Sequence, residues 1–402
     1  MQRCLPFRFL ISAFLVLLSA TFAVCQGSPR DFHFNNSSGQ TTVPLTEQGV
    51  FEATINGKGP FKFFFDTGAG VNILNPDVIA QLGLVPAGGA EQLHGISGGK
   101  LDAKAYRAGE VRIGDLTLTG QTFYNIQMPF PEVVGAVGYQ LMRQLIIKTD
   151  NEHHQLVFYD PASFVYKGGG EKLELQPNGE ELIVRAHVGK TAGDFVLDTG
   201  AIGNNGVRLN HWFVQQRHLL HDSLLFNLFH PSYHGVFSGG ADGNAPSARI
   251  ERISELCLGS ACVPHIVGEF SDSDDKSPYA GRIGNEILRR FNVTIDWQHR
   301  VIYLEKTSRW NEPDIYNLTG LLTDQADNWK ALVVATVYPR SAGSKAQIKA
   351  GDKIVLIDGR APAPTWYCDD PSFVQRAGTV VALTIQRGKT SQKIHLKLKD
   401  ML

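Results

Sequence analysis

The chain is a succession of short apolar runs separated by turns rich in glycine, asparagine, aspartate and proline. Phe63-Phe64-Phe65, Phe195-Val196-Leu197, Val301-Ile302-Tyr303-Leu304 and Leu332-Val333-Val334-Ala335-Thr336-Val337 are typical. They have strand length and favour β-branched or aromatic residues, a pattern that predicts buried strands. Helical spacing is confined to Asn75 to Leu82, Leu209 to Leu228, short stretches near Leu141 and Leu288, and one near residue 344. The prediction is a mostly β protein. Residues 26–41, polar around Asn35-Asn36-Ser37-Ser38-Gly39, read as a linker.

The strand pattern contains an internal repeat. Val188-Gly189-Lys190 to Phe195-Val196-Leu197-Asp198-Thr199-Gly200-Ala201 aligns without a gap on Asn56-Gly57-Lys58 to Phe63-Phe64-Phe65-Asp66-Thr67-Gly68-Ala69. Further on, Gly135-Ala136-Val137-Gly138 recurs as Gly281-Arg282-Ile283-Gly284. Each copy is followed by a strand ending in an acid, Ile146 to Asp150 and Asn292 to Asp296, and then by a closing strand, Leu156 to Tyr159 and Val301 to Leu304. Residues 42–165 and 166–306 therefore read as two copies of one lobe. The extra length of the second copy falls in a histidine-rich stretch after Asp198.

Length and composition fit this picture. The 402 residues correspond to two or three domains, and a hydrophobic fraction of 43% supplies real cores. Disordered, collagen-like and coiled-coil chains are excluded. With 38 Lys+Arg against 39 Asp+Glu the net charge is −1, so there is no electrostatic footprint for nucleic acid.

The candidate chemistry lies where each copy delivers an aspartate from the end of an apolar strand into a Thr-Gly turn. A charge at such a place is costly unless compensated. Two lobes related by an approximate two-fold bring Asp66 and Asp198 face to face. Adjacent carboxylates do not both ionise easily, so the pair shares one proton, and one acts as base while the other acts as acid. Thr67 and Thr199 supply hydroxyls for support, and Gly68 and Gly200 permit close approach.

Asp66-Thr67-Gly68-Ala69 and Asp198-Thr199-Gly200-Ala201 resemble the active-site loops of retropepsin-like aspartic proteases. Ala136-Val137-Gly138 and Arg282-Ile283-Gly284 resemble that family's hydrophobic-hydrophobic-Gly motif, with Arg282 departing from it. The resemblance spans about residues 42–306. It implies a bilobal, pseudo-two-fold β-barrel fold with a cleft between the lobes, and an endopeptidase that uses no cofactor or metal and acts on peptide or protein substrates; the single proton shared by the pair predicts a mildly acid optimum. It also implies a glycine-rich flap over the substrate. The candidates are Gly98 and Gly99 in His94 to Gly99, and Gly239 and Gly240 in Phe237 to Gly240. The alternative is a catalytically inactive peptide-binding envelope protein that uses the same cleft and a peptide groove in the C-terminal part.

Residues 312–402 form a further unit. A strand from Leu332 to Val337 is followed by a short helix from Ala342 to Ile348 capped by Ser341, a strand entering an Asp358-Gly359 turn, and a closing hairpin. The run from Pro339 to Gly359 resembles a bacterial PDZ domain. That implies a partner, a C-terminal peptide added as a strand beside a loop at Gly320, Leu321 and Leu322. Packing on the protease without a ligand is the other reading.

Three features concern location and side-chain chemistry. Arg3 and Arg8, an apolar run from Phe9 to Ala20 and small residues up to Cys25 read as a signal peptide over residues 1–25. The expectation is an exported protein, periplasmic or extracellular, with no stable membrane span after cleavage. Cys257 and Cys262 flank a tight turn, and read either as a disulfide in an oxidising compartment or as two small buried side chains. His211, His218, His221, His230 and His234 lack the spacing of a metal site and read as solvated polar residues.

Overall fold

A computed structural model describes residues 31–94, 100–128, 130, 132–177, 179–201, 206–217, 224–227, 247–271, 277–314, 316–327, 330–362 and 377–402. The first half contributes β1 (Phe32–Phe34), β2 (Gln40–Pro44), β3 (Val50–Ile55), β4 (Lys58–Phe65), β5 (Ile73–Leu74), α1 (Pro76–Leu82), β6 (Val85–His94), β7 (Lys100–Arg107), β8 (Glu110–Ile113), β9 (Leu116–Thr119), β10 (Thr122–Asn125), β11 (Gly135–Val137), α2 (Tyr139–Met142), β12 (Ile146–Asp150) and β13 (Gln155–Tyr159). The second contributes β14 (Glu171–Glu174), β15 (Ile183–Val188), β16 (Thr191–Asp198), β17 (Val207–Leu209), α3 (His211–Arg217), β18 (Leu224–Asn227), β19 (Ser247–Leu258), β20 (Ala261–Ser271), β21 (Gly281–Gly284), α4 (Asn285–Leu288), β22 (Phe291–Asp296) and β23 (Val301–Lys306). The C-terminal part holds β24 (Leu321–Ala326), β25 (Ala331–Val337), α5 (Ala342–Lys345), β26 (Lys353–Ile357), β27 (Val380–Arg387) and β28 (Thr390–Lys397). The protein is mostly β, with a β-barrel, consistent with a β protease fold.

Each half builds its own sheet. In the first the order is β1-β9-β8-β3-β4-β11-β5-β10-β7-β6. In the second it is β15-β16-β21-β17-β20-β19-β18, closed by a pairing of β15 with β19. The duplication extends to the hydrogen bonds. In the first half β11 pairs parallel with β4 and antiparallel with β5. In the second β21 does the same with β16 and β17. Val134 N donates to Lys62 O at 2.9 Å, and Ala280 N donates to Asp194 O at 2.7 Å. Inward alternation positions the core. Phe51, Ala53 and Ile55 of β3 are buried, as are Val184, Ala186 and Val188 of β15.

The halves are also joined in a way the sequence pattern does not announce. A six-stranded sheet runs β14-β23-β22-β12-β13-β2, drawing strands from both. At its centre β12 and β22 pair antiparallel, with Lys148 opposite Thr294. These two residues occupy equivalent positions of the repeat. One hydrophobic core runs through both halves, from Val43 to Leu304. The acids that end β12 and β22 serve local turns. Asp150 accepts from His153 N at 3.1 Å, and Asp296 accepts from His299 N at 3.0 Å.

Two sequence expectations are corrected. The polar stretch expected as a linker up to residue 41 contains β1, which pairs with β9, and the start of β2, which pairs with β13. Phe32 and Phe34 pack against the core, and this compensates the polarity of their neighbours. Among the described residues of Leu209 to Leu228, the helical reading holds for α3. Leu224–Asn227 is a strand paired with β19, because a short apolar run takes whichever backbone partner the tertiary structure offers.

The C-terminal sheet orders β24-β25-β26-β27-β28. Ser341 caps α5, its Oγ accepting from Ser344 N at 3.1 Å, but the helix ends at Lys345, short of Ile348. Asp358 and Gly359 both have positive φ, 47° and 81°, as the tight turn requires. The core of this part also includes Ile250 of β19 and Val267 of β20, so it is packed on the second half. Its junction is ionic and buried. Arg290 Nη2 donates to Asp314 Oδ1 at 3.1 Å, and Val267 N donates to Asp314 Oδ2 at 2.6 Å. Among the described residues no helix is long and apolar enough to cross a membrane.

Candidate active site

Asp66 follows β4 and Asp198 ends β16, each beside the parallel strand β11 or β21. Asp66 N donates to Val137 O at 2.9 Å, tying the loop to the neighbouring motif. The glycine of that motif is explained by contact. A methyl group at Gly138 would overlap the carbonyl oxygens of Asp66 and Ala69, and one at Gly284 would lie 2.8 Å from Ala201 O. Tyr139 N and Asn285 N donate to those same Ala69 and Ala201 oxygens, each at 3.0 Å. The motif is thus the buttress of the aspartate loop, built twice.

The loops meet through their threonines. Thr67 N donates to Thr199 Oγ1 at 3.0 Å, and Thr199 N donates to Thr67 Oγ1 at 2.9 Å. Each hydroxyl then donates across the junction: Thr67 Oγ1 to Leu197 O and Thr199 Oγ1 to Phe65 O, both at 2.7 Å. Both threonines are buried, so these bonds form away from competing water and hold the loops in fixed register.

Each carboxyl of Asp66 and Asp198 is thereby packed against the glycine of the other loop, close enough for the two to interact electrostatically. Each also accepts from its own loop. Gly68 N donates to Asp66 Oδ1 at 2.9 Å, and Asp198 Oδ1 accepts from Gly200 N and Ala201 N at 3.0 Å each. A Cβ at Gly68 would sit 2.7 Å from the Asp198 carboxyl, and one at Gly200 would overlap that of Asp66. Glycine is required because the opposite carboxyl occupies the space a side chain would take. Desolvation pushes the Asp66 carboxyl up to about 8, reinforced by the neighbouring Asp198 charge and opposed by the Gly68 N–H and by Arg282.

Residues 51–146 match the aspartyl protease family model. The matched segment contains Asp66, its Thr-Gly turn and the β11 motif, and the match supports a protease-type function. No curated protein matches the chain.

The structure brings Asp66, Thr67, Gly68, Asp198, Thr199 and Gly200 to one place. The flap candidates Gly98, Gly99, Gly239 and Gly240 lie outside the described residues. So do His218, His221, His230 and His234, while His211 begins α3. The arms of the first flap candidate are described: β6 and β7 pair antiparallel as far as His94 opposite Lys100. Cys257 and Cys262 face each other across the β19–β20 hairpin and form a disulfide. Leu321 is buried in the C-terminal core, and a methyl at Gly320 would overlap Ser341.

One partner of the pair was not foreseen. Arg282 Nη1 donates to Asp198 Oδ2 at 3.1 Å, and its Nη2 donates to Glu181 Oε1 at 3.1 Å. The signal was present as the one charged residue in an otherwise apolar repeat motif.

Proposed function

We propose that this chain is an exported aspartic endopeptidase in which a water held between Asp66 and Asp198 attacks a peptide carbonyl. The observation that carries the reading is the reciprocal Thr67–Thr199 bonding, which ties the two aspartate loops together with each carboxyl packed against the other loop's glycine. The pair holds one proton and one negative charge. The carboxylate takes a proton from water as its oxygen bonds to the carbonyl carbon, and the carboxylic acid gives its proton to the carbonyl oxygen. Collapse of the tetrahedral species breaks the C–N bond, and the amine leaves with a proton returned by the pair. No covalent intermediate and no metal are needed.

In this reading residues 42–165 and 166–306 are the two protease lobes, and residues 312–402 a PDZ domain that docks substrate ends or regulates access. β24 is an edge strand of its sheet; Gly320 precedes it and Leu321 and Leu322 begin it, which suits addition of a peptide strand. Because Asp66 keeps its proton up to about pH 8, the reading favours activity that extends to neutral pH, where the sequence suggests a mildly acid optimum. Incubation with a mixed peptide library, with and without an aspartic-protease inhibitor, tests the assignment. Inhibitor-sensitive cleavage is expected. Binding of peptides with no cleavage at any pH from 4 to about 8 would favour the silent peptide-binding alternative.

A further inference from the structure

The repeat makes the two sides of the pair directly comparable. In the first half, the row of facing residues across the sheet is Phe64, Ala136, Ile73 and Tyr124. In the second, the equivalent row is Val196, Arg282, Arg208 and Glu269. By strand alternation each row lies on the same face as its own aspartate, two residues beyond Phe64 or Val196. The first row is apolar and buried, with Ala136 at 1% exposure. The second carries charge, and Arg282 reaches the Asp198 carboxylate, whereas its counterpart in the first row, Ala136, has no charge to offer Asp66.

We propose that Arg282 is a positioning residue that breaks the symmetry of the pair: it fixes the negative charge on Asp198, leaves the proton on Asp66, and keeps the singly protonated, active form populated at lower pH than an unassisted pair would allow. Asp198 is then the base towards water and Asp66 the acid towards the carbonyl. This rests on the protease reading and assigns roles within it.

The charged surroundings support this division. On Asp66 the facing groups are Asp198 and the Gly68 N–H, with Arg282 more remote. On Asp198 they are Asp66, Arg282 and the N–H groups of Gly200 and Ala201. Arg282 is itself held from the other side by Glu181, in the segment before β15, with side-chain exposures of 18% and 30%. Its strand neighbour Arg208 is drawn to Glu269 at 3.7 Å. Tyr279 lies near Glu181, Arg282 and Asp194, and Asp194 is paired with Arg185 at 2.9 Å. Glu180 approaches the first loop at Gly70. Among the described residues the cation nearest the pair is therefore Arg282, and its pull is moderated by Glu181.

The signs follow from charge. Removing a cation beside a carboxylate pair stabilises its protonated forms, so both limbs of the pH–rate profile move up. Removing an anion from that cation's far side does the opposite.

The experiment uses the full chain and a quenched-fluorescent peptide drawn from the library. Arg282→Leu should move the acid limb of kcat/KM up by about one pH unit or more, a tenfold change in proton concentration, and the alkaline limb up by less. Arg282→Lys should recover part of the shift, and Glu181→Gln should move the acid limb down. Opposite shifts cannot come from loosened packing. An unmoved acid limb in Arg282→Leu, or shifts of the same sign in Arg282→Leu and Glu181→Gln, would overturn the proposal while leaving the protease reading intact. Carboxyl-carbon NMR titration of the same proteins, assigned with Asp66→Asn and Asp198→Asn, reads the proton's location without any turnover. A proton found on Asp198 rather than Asp66 in the unaltered chain at pH 6 would also overturn it. Arg282→Lys keeps the test open if Arg282→Leu fails to fold.

Discussion

Thr67 and Thr199 each donate a backbone N–H to the other's hydroxyl, and each hydroxyl is spent again on a carbonyl of the opposite strand. Every partner in this four-bond knot lies within two residues of an aspartate. The distance between the acids is therefore a property of the threonines. Thr67→Val or Thr199→Val keeps the shape but strands a buried N–H and a buried carbonyl, at about 1–3 kcal/mol for each group. Chemical denaturation should show a loss of about 2–6 kcal/mol in either variant, with activity falling at least tenfold. Thr→Ser at the same positions should cost about 1 kcal/mol or less. Equal effects of valine and serine would contradict the account.

Gly68 and Gly200 face the opposite carboxyl so closely that a methyl group has no room. Gly68→Ala and Gly200→Ala should part the acids and reduce kcat by about a hundredfold or more, since a displacement of about 1 Å is worth that much. KM for a peptide should change much less. Unchanged kcat in either variant would mean that the contact does not matter to turnover.

These loops are the part of the site most legible in the sequence. Asp66-Thr67-Gly68-Ala69 and Asp198-Thr199-Gly200-Ala201 are contiguous, and the repeat fixed their partners, Gly138 and Gly284. The helices at Pro76–Leu82 and Asn285–Leu288 were legible from spacing for the same local reason. What escaped was long-range. Nothing local in Ile146 to Asp150 or Asn292 to Asp296 says that they pair with each other across 146 positions. Nothing in Phe32–Phe34 says that it will find β9. Arg282 was visible as an exception to a pattern, but its two carboxylate partners, Asp198 and Glu181, lie 84 and 101 positions away.

Asp66 ionises at about 8 in the folded chain against an ordinary value of 3.8. A raised carboxyl means that the folded state holds a proton the unfolded state has lost, so stability from this group falls as pH rises from about 4 towards 8. Asp66→Asn mimics the protonated acid. It should raise Tm at pH 7 by several degrees, at roughly 2–4 °C per kcal/mol relieved, and the gain should vanish near pH 4. A Tm difference independent of pH would contradict the burial of a proton on Asp66.

Asp314 lies at the junction of the C-terminal part, taking Arg290 and the Val267 N–H at once. Asp314→Ala leaves a buried guanidinium unpaired and should cost about 3–5 kcal/mol. Truncation after residue 311 additionally uncovers Ile250 and Val267, and should lower Tm of the remaining chain rather than leave it untouched. Retention of full stability by the truncated chain would show that the C-terminal part is only tethered.

The Cys257–Cys262 disulfide closes a loop of five positions on a hairpin already zipped by its own hydrogen bonds. Chain-entropy arguments give such a short loop about 2 kcal/mol at most. Replacing both cysteines by serine should leave peptide cleavage unchanged and reduce stability by no more than that. A larger loss would point to packing of the bridge itself.

The central claim is that one acid from each copy acts on a common water, and the most direct measurement is single-turnover cleavage of a library-derived peptide by Asp66→Asn and Asp198→Asn. The account predicts that each change alone lowers the rate by about a thousandfold or more, as expected when one member of a unit is lost, with thermal unfolding still cooperative. Cleavage at the unaltered rate by either variant would contradict it.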